Sequence, residues 1–370
     1  MNIIKDANII VLKIGSRALV DDQSCQLRKD WFSAFIEDIA ELKKEGKNII
    51  IVSSGSVALG KNKLDICHKK LKLEEKQAAA ACGQMELSEA YREELKKYDI
   101  DTAQILLTLE DSNNRRRFLN ARNTITTLLD NNIIPVINEN DSVSTDEIRF
   151  GDNDRLAARV VQMVGADILI LLSDIDGIYT ANPKNDKSAE HIKLVTNIDD
   201  EIRGYAGGSI SNVSSGGMIT KVQAAEIAAS SGCGTIISLG MMNNPIKNLM
   251  NDGRNTLFMA CDTPQNARKS WISCNLNVKG SVVIDDGAVN ALYNGKSLLP
   301  AGIKEVVGEF IRGDIIVIKD KDGKELAKGI SSYSKEDAVR IAGRRNSDIE
   351  SILGYSPRHS FVHRDDMSVS

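Results

Sequence analysis

The sequence predicts an α/β protein: an open, mostly parallel sheet sandwiched by helices, followed by a small, mostly-β module. Three observations predict it. Apolar runs of strand length, rich in Ile, Val and Leu, occupy residues 9–14, 49–52, 133–137, 168–172 and 235–239, with 102–107 as a sixth. Their hydrophobicity is continuous rather than alternating, as in strands buried on both faces of a parallel sheet. Helical patterns lie between them, and strands alternating with helices imply an open α/β sheet.

Each element has its own signal. The run 9–14 closes on Lys13-Ile-Gly-Ser16, after which Trp31, Phe35, Ile39 and Leu42 recur at the spacing of one helix face. The run 49–52 leads into Ser53-Ser-Gly-Ser56, and residues 77–85 are Ala-rich and helical in character. The run 133–137 passes straight into Asn138-Glu-Asn-Asp141, and a second cluster, Gly151-Asp-Asn-Asp154, opens an apolar helix over 156–164. Ser173-Asp174 ends the run 168–172, and Gly240 ends the run 235–239. Between them Ser214-Ser-Gly-Gly217 precedes a helix beginning near Thr220, Ala-rich over 222–229. Around 261–277 the rhythm stops, so residues 263–277 are expected as a linker between domains at 1–262 and 278–370. In the second domain, 281–284 and 315–318 read as short strands, and 335–341 as a short helix. Asp320-Lys-Asp-Gly323 is a turn signal leading to 326–330, which makes a hairpin.

A chain of 370 residues makes two domains the natural expectation. A formal net charge of -4 provides no global basic field for nucleic acid or an acidic membrane. Aromatics at 4% argue against base-stacking platforms. No apolar run approaches the ~20 residues of a membrane span, and the N-terminus has no signal-peptide pattern. The cytoplasm is the expected location. Cys25, Cys67, Cys82, Cys233, Cys261 and Cys274 are scattered without a Cys-x-x-Cys pair, and are expected as reduced, mostly buried thiols. His359 and His363 have half of a zinc-finger spacing, but no cysteine pair precedes them, so no resident metal site is expected.

In an open α/β sheet the ligand crevice lies at the carboxyl ends of the strands, so the polar residues after these runs converge in space. Carboxylates and amides as dense as those of 138–141 and 151–154 repel one another unless they bind cations, ammonium groups or magnesium-bound phosphates. The segments 53–60 and 214–221 read either as ordinary glycine-bearing turns or as anion-binding loops. Lys221 stands in a first helical turn, against the macrodipole preference, and a bound polyanion would offset that. The Walker spacing Gly-x-x-x-x-Gly-Lys-Ser/Thr is absent. Lys13 and Lys221 would do its electrostatic work from opposite sides. His363-Arg-Asp365 has the letters of a protein-kinase catalytic loop, but Ser370 stands where its metal-binding Asn belongs.

Together Lys13-Ile-Gly-Ser, Ser53-Ser-Gly-Ser, Phe118-Leu-Asn-Ala-Arg, Ile137-Asn-Glu-Asn-Asp and Gly151-Asp-Asn-Asp resemble the amino-acid kinase family. So do Leu172-Ser-Asp-Ile-Asp-Gly-Ile-Tyr-Thr and Gly216-Gly-Met-Ile-Thr-Lys. More narrowly, the set is similar to the branch that phosphorylates the side chain of L-glutamate in the first step of proline biosynthesis. Residues from 278 on, with Leu298-Leu-Pro-Ala-Gly and Val362-His-Arg-Asp-Asp-Met, resemble a PUA domain. The sequence departs from the family in having Ser214-Ser-Gly-Gly for Gly-Thr-Gly-Gly, and Ser173-Asp174 for Thr-Asp.

The resemblance implies transfer from ATP, with Mg2+, to the glutamate side-chain carboxylate. It implies that Lys13 contacts the transferring phosphoryl group, Lys221 the phosphates on the leaving side, and that Asp154 orients both. Ser173, Asp174, Ser215, Gly216, Gly217, Met218, Ile219, Thr220 and Lys221 would form the nucleotide site. Ser54, Asp141 and Asn153 would hold glutamate. The chemistry agrees: a glutamate carboxylate, with a reference pKa near ~4.3, is already ionised and needs no general base. The site has to overcome repulsion between anions, which lysines and magnesium do.

The resemblance also implies feedback inhibition by proline through the loop near 138–151; a homo-oligomer (dimer or tetramer) is expected, and the reactivity of an acyl phosphate product suggests an association with the downstream glutamyl-phosphate reductase. Aspartate kinase, acetylglutamate kinase and uridylate kinase are competitors on the same fold. RNA binding by the PUA-like module is a second class of function. Arg340, Arg344 and Arg345 give it a small basic cluster, which a solvated helix end also explains.

Overall fold

The computed structural model describes residues 2–69, 71–143, 153–183, 185–207, 217–260, 262–274, 278–355 and 360–369. Two units divide the chain, Met1–Pro264 and Gln265–Ser370.

The first unit is built on an eight-stranded sheet. Its strands include β1 (Ile9–Ile14), β2 (Asn48–Ser53), β3 (Thr102–Leu107), β4 (Ile134–Glu139) and β5 (Ile168–Ser173). β6 (Ile178–Tyr179) and β7 (His191–Ile192) form a small separate hairpin, after which β8 (Leu194–Val195), β9 (Gly234–Leu239) and β10 (Asn255–Phe258) complete the main sheet. The order across it is β3-β4-β2-β1-β5-β9-β10-β8. The six strands from β3 to β9 in that order are parallel, and only β10 pairs antiparallel, against β9. Parallel pairing puts the carboxyl ends of β1, β2, β4, β5 and β9 on one edge.

The sheet is apolar because both its faces are covered. On β1, Ile10, Leu12 and Ile14 join one core while Val11 joins the other. The first core is closed by the Lys29–Lys44 helix, through Trp31, Phe32, Phe35, Ile36 and Ile39, and by Leu87, Tyr91 and Leu95 of the Leu73–Lys96 helix. The second is closed by Leu156, Val160 and Val161 of the Asn153–Val164 helix and by Ala224, Ala225 and Ala228 of the Met218–Ala229 helix. Each large apolar side chain so buried contributes about 1.5–3 kcal/mol. The Trp31 indole also donates to the Gly240 carbonyl at 2.8 Å, fixing this helix to the end of β9.

Two glycines let the Ser56–Lys63 and Leu73–Lys96 helices approach each other. A Cβ on Gly60 would meet the Ala79 carbonyl oxygen at 1.7 Å, and one on Gly83 the Ser56 carbonyl oxygen at 1.9 Å. No side chain fits there.

Cysteine chemistry departs from expectation. Cys25 and Cys67 are joined as a disulfide across 42 residues, with Cα atoms 6.0 Å apart. The expectation of thiols rested on linear spacing, which does not report that folding brings the loop after the Ser16–Leu19 helix beside the turn after Ser56–Lys63. Cys82 and the buried Cys233 are free thiols; Cys261 and the Cys274 side chain lie outside the described residues.

In the stretch expected as a linker, Pro264–Cys274 is helical. The second unit carries a five-stranded sheet of β11 (Gly280–Ile284), β12 (Ile303–Gly308), β13 (Ile315–Lys319), β14 (Glu325–Ile330) and β15 (Met367–Val369). Its order is β12-β11-β13-β14-β15. β13 and β14 form the expected hairpin, where Asp320 accepts from the Asp322 and Lys324 amides and Gly323 takes φ 83°. A separate core includes Val282, Ile316, Ile318, Leu326, Tyr333, Ile341 and Phe361. Arg340 ends the Lys335–Ile341 helix and donates to the Ile352 carbonyl, while Arg344 and Arg345 are exposed. His363 caps a short 3-10 turn, Arg364–Asp366. His359 lies outside the described residues.

Candidate active site

A cleft of about 1190 Å³ opens at the carboxyl edge of the main sheet. That exceeds the ~300–1,000 Å³ usual for one small-molecule ligand, so it suits two reactants side by side. Lys13, Ser54, Asp141, Asn153, Ser173, Asp174, Gly217, Met218 and Lys221 all line it. Every one was singled out by sequence.

At one end lies a charged centre. Asp154, in the first turn of the Asn153–Val164 helix, is fully buried, and its two oxygens face two ammonium groups. Lys13 Nζ from β1 is 2.6 Å from Oδ1, and Lys221 Nζ from the Met218–Ala229 helix donates to Oδ2 at 3.0 Å. The Thr220 hydroxyl also contacts Oδ2, at 3.1 Å. Burial alone would push the Asp154 carboxyl up, but Lys13 and then Lys221 outweigh it and hold the group down at about 2. Gly217 at φ 137° caps the lysine-bearing helix, a backbone angle few side chains tolerate.

Elsewhere in the cleft, amides and hydroxyls gather around the Asp141 carboxylate. Asn138, at the end of β4, is 2% exposed and uses its whole side chain. Its Oδ1 accepts from the Glu139 amide and from Asn153 Nδ2, both at 2.9 Å. Its Nδ2 donates to Gln84 Oε1 at 2.8 Å and to Ser56 Oγ at 3.2 Å. Asn153 Nδ2 reaches the Ser53 carbonyl at 3.0 Å and Ser54 Oγ at 2.9 Å. The Ser56 hydroxyl is 3.4 Å from Asp141 Oδ2, which leaves Asp141 facing the cleft as an anionic acceptor. Gly55 at φ 108° makes the turn that presents Ser54 and Ser56 together.

At the mouth, Arg17 Nη1 pairs with Asp174 Oδ2 at 2.9 Å. Partial burial pushes the Asp174 carboxyl up, but the Ser173 hydroxyl and Arg17 keep it below its ordinary value. Ile219 packs against the second core of the sheet rather than lining the cleft, and Ser215 and Gly216 lie outside the described residues. Asn138, Ser56, Arg17 and Lys61 line the cleft as well. The run 138–141 pointed to Asn138; Arg17 and Lys61 look like ordinary surface charges in sequence. Among the described residues, no three His, Cys, Asp or Glu side chains gather as a metal-ligand set.

The parallel-sheet fold that carries this cleft has a counterpart among solved structures. A solved carbamate kinase from Giardia lamblia bound to AMP-PNP superposes with a TM-score of 0.51, covering 69% of this chain and 99% of its own at 15% identity. That likeness shows the fold alone. In sequence, a glutamate 5-kinase of Ruegeria sp. (strain TM1040) is 49% identical over the full length of both chains. One of Rhizobium etli (strain CIAT 652) is 52% identical over 98% of this chain and 92% of its own. Residues 280–353 match the PUA domain. Residues 8–238 match the amino acid kinase family, and the chain belongs to that family.

Proposed function

We propose that the chain transfers the γ-phosphoryl group of ATP to the side-chain carboxylate of L-glutamate, forming L-glutamyl 5-phosphate, the first step of proline biosynthesis. The observation that carries this reading is Asp154 clamped between Lys13 and Lys221, two lysines that line the same cleft as Asp141 and Ser54. Full-length relatives at about half identity support the same acceptor.

The reaction needs no base. The substrate carboxylate is ionised at neutral pH, so its oxygen attacks the γ-phosphorus directly. The new O–P bond forms as the bond to the β-phosphate oxygen breaks, and ADP leaves with the electron pair. Catalysis is positioning and charge neutralisation. Lys13, at a strand end, meets the transferring group. Lys221, at a helix start, meets the phosphates on the leaving side. Asp154 keeps both aimed. Two lysines against one carboxylate leave a single surplus positive charge, far less than a triphosphate carries, which fits a nucleotide that arrives as its Mg2+ complex. Ser173, Asp174 and the segment 215–221 would surround that nucleotide. Asp141 would hold the substrate ammonium, and Ser54 with Asn153 the α-carboxylate.

The reading extends to a cytoplasmic homo-oligomer inhibited by proline at the glutamate end and partnered with the downstream reductase, since an acyl phosphate hydrolyses readily. Residues 144–151 of the loop expected to mediate inhibition lie outside the described residues. Trapping with hydroxylamine tests the acceptor. L-Glutamate with ATP is expected to give the hydroxamate, whereas L-aspartate and N-acetylglutamate give none, and a direct nucleotide assay shows no phosphorylation of UMP. Equal turnover with another acceptor overturns the proposal.

A further inference from the structure

We infer that Gln84, which does not touch the cleft, is a positioning residue that sets the hydrogen-bond direction of the entire glutamate end. The inference rests on the proposed acceptor site and goes beyond it. Gln84 sits on the Leu73–Lys96 helix, 8% exposed, behind Asn138.

The Glu139 backbone N–H can only donate, and it points at Asn138 Oδ1. That settles which end of the Asn138 amide is oxygen. Asn138 Nδ2 therefore has two protons to place: one goes behind the cleft wall to Gln84 Oε1, the other to Ser56 Oγ at the cleft surface. With its lone pair taken, the Ser56 hydroxyl turns its own proton toward Asp141. The Oδ1 end meanwhile receives Asn153, which spans to Ser54. The Glu139 N–H and the Gln84 oxygen thus anchor the two ends of an amide that orients Ser56, Asp141, Asn153 and Ser54. These are the groups proposed to hold the substrate's ammonium and carboxylate. Gln84 itself is held by Ser88, whose hydroxyl lies 3.4 Å from Nε2 and contacts Gln104 Oε1. The neighbouring Gly83 packs against the Ser56 carbonyl, so the helix grips both ends of the relay within two residues.

None of these bonds reaches Lys13, Asp154 or Lys221, so the effect is confined to the amino acid. Methionine at this position keeps the length and loses the oxygen; asparagine keeps the polarity and withdraws the oxygen by one carbon; glutamate keeps an acceptor in place. Steady-state kinetics on the full chain, with each substrate varied in turn and thermal midpoints recorded, tests the relay. Gln84→Met is expected to raise the KM for glutamate by about tenfold, the worth of one buried hydrogen bond. The KM for ATP and kcat should stay within twofold. Gln84→Asn should move the glutamate KM the same way, which keeps the test open if the methionine variant folds poorly. Gln84→Glu should recover most of the loss. Equal changes in both KM values, or no recovery by glutamate, would reduce Gln84 to packing and sink the inference. If Asp141→Asn raises the glutamate KM while Gln84→Met and Gln84→Asn do not, the relay alone is wrong. If Asp141→Asn leaves it unchanged too, the glutamate site on which the relay rests is wrong.

Discussion

The two ends of the cleft solve different problems with different bonds. The Lys13–Asp154–Lys221 end is built from full charges, packed so tightly that a carboxylate with no solvent exposure remains ionised. The Asn138–Asn153–Ser54 end sets one carboxylate, Asp141, among neutral groups whose value is direction. Coulomb attraction falls slowly with distance and tolerates misalignment, which suits a phosphoryl group in motion between two anions. Hydrogen bonds weaken steeply off axis, which suits recognition of one fixed amino acid. The comparison implies that damage at the first end removes turnover, and damage at the second removes affinity.

The largest effects should come from the charged end. Lys13→Ala is expected to cost about 10²–10³-fold in kcat with a smaller change in the glutamate KM, the size seen when one transition-state donor is lost. Asp154→Ala should be as inactive and also unstable by ~3–5 kcal/mol, because it leaves two buried ammonium groups facing each other. Rapid quench for turnover and denaturant melts for stability would check these. A Lys13→Ala enzyme with near-normal kcat would remove the division of labour between the ends.

At the recognition end, Asp141→Asn replaces an ionic acceptor by a neutral one. A hydrogen bond to a charged group is worth about 1.5–3 kcal/mol, so the glutamate KM should rise by about one to two orders of magnitude with kcat little changed. A fall in kcat without a rise in KM would show that Asp141 belongs functionally with the charged end.

Much of this could be read before folding, and what could not has a physical cause. Residues 9–14 coincide with β1, because a strand buried on both faces is apolar along most of its length, and residues 102–107 coincide with β3, a half-buried edge strand whose apolar residues still carry the signal. β4 runs on to Glu139, beyond the apolar run, since the polar residues at a strand end still pair but carry no hydrophobic signal. β12, whose side chains are mostly exposed, and the two-residue strands β6, β7 and β8 gave no pattern to detect. Lys13, Asp154 and Lys221 were legible because charged residues at strand and helix ends need a reason to be there. Gln84 was not: a glutamine in an Ala-rich helix looks like a solvent-facing residue, and only folding reveals the Asn138 amide behind it. The Cys25–Cys67 pair failed likewise, since proximity of two loops is a tertiary fact.

A smaller test of the neutral end goes through packing. Gly83→Ala would set a methyl 1.9 Å from the Ser56 carbonyl oxygen, so backbone must move. Overpacking of this kind costs typically ~1–3 kcal/mol, and the movement displaces Ser56. The melting temperature should fall, and the glutamate KM should rise more than the ATP KM. Gly287→Ala, outside the cleft, where a Cβ makes only an ordinary 3.4 Å contact with Asp285 Oδ1, is the control and should do neither.

The smallest expected effect is that of pH on the charged end across the neutral range, and its sign separates the two ends once more. The Asp154 carboxyl titrates near 2 in the fold against 3.8 for an ordinary aspartate. Between those values the unfolded chain binds more protons than the folded one, so stability rises with pH through that window. The contribution is complete above about pH 4 and lost as pH falls toward about 2. From pH 5 to 8 neither Asp154 nor the neutral amides change charge, so this network should leave both stability and the glutamate KM flat. Denaturant melts at half-unit steps would check it in the parent chain and in a Lys221→Ala variant. With one ammonium removed, the folded carboxyl should titrate higher, and the acid limb of the stability curve should move up in pH. An unmoved limb would mean that Lys221 contributes nothing to holding the carboxylate ionised, and that the charged end depends on Lys13 alone.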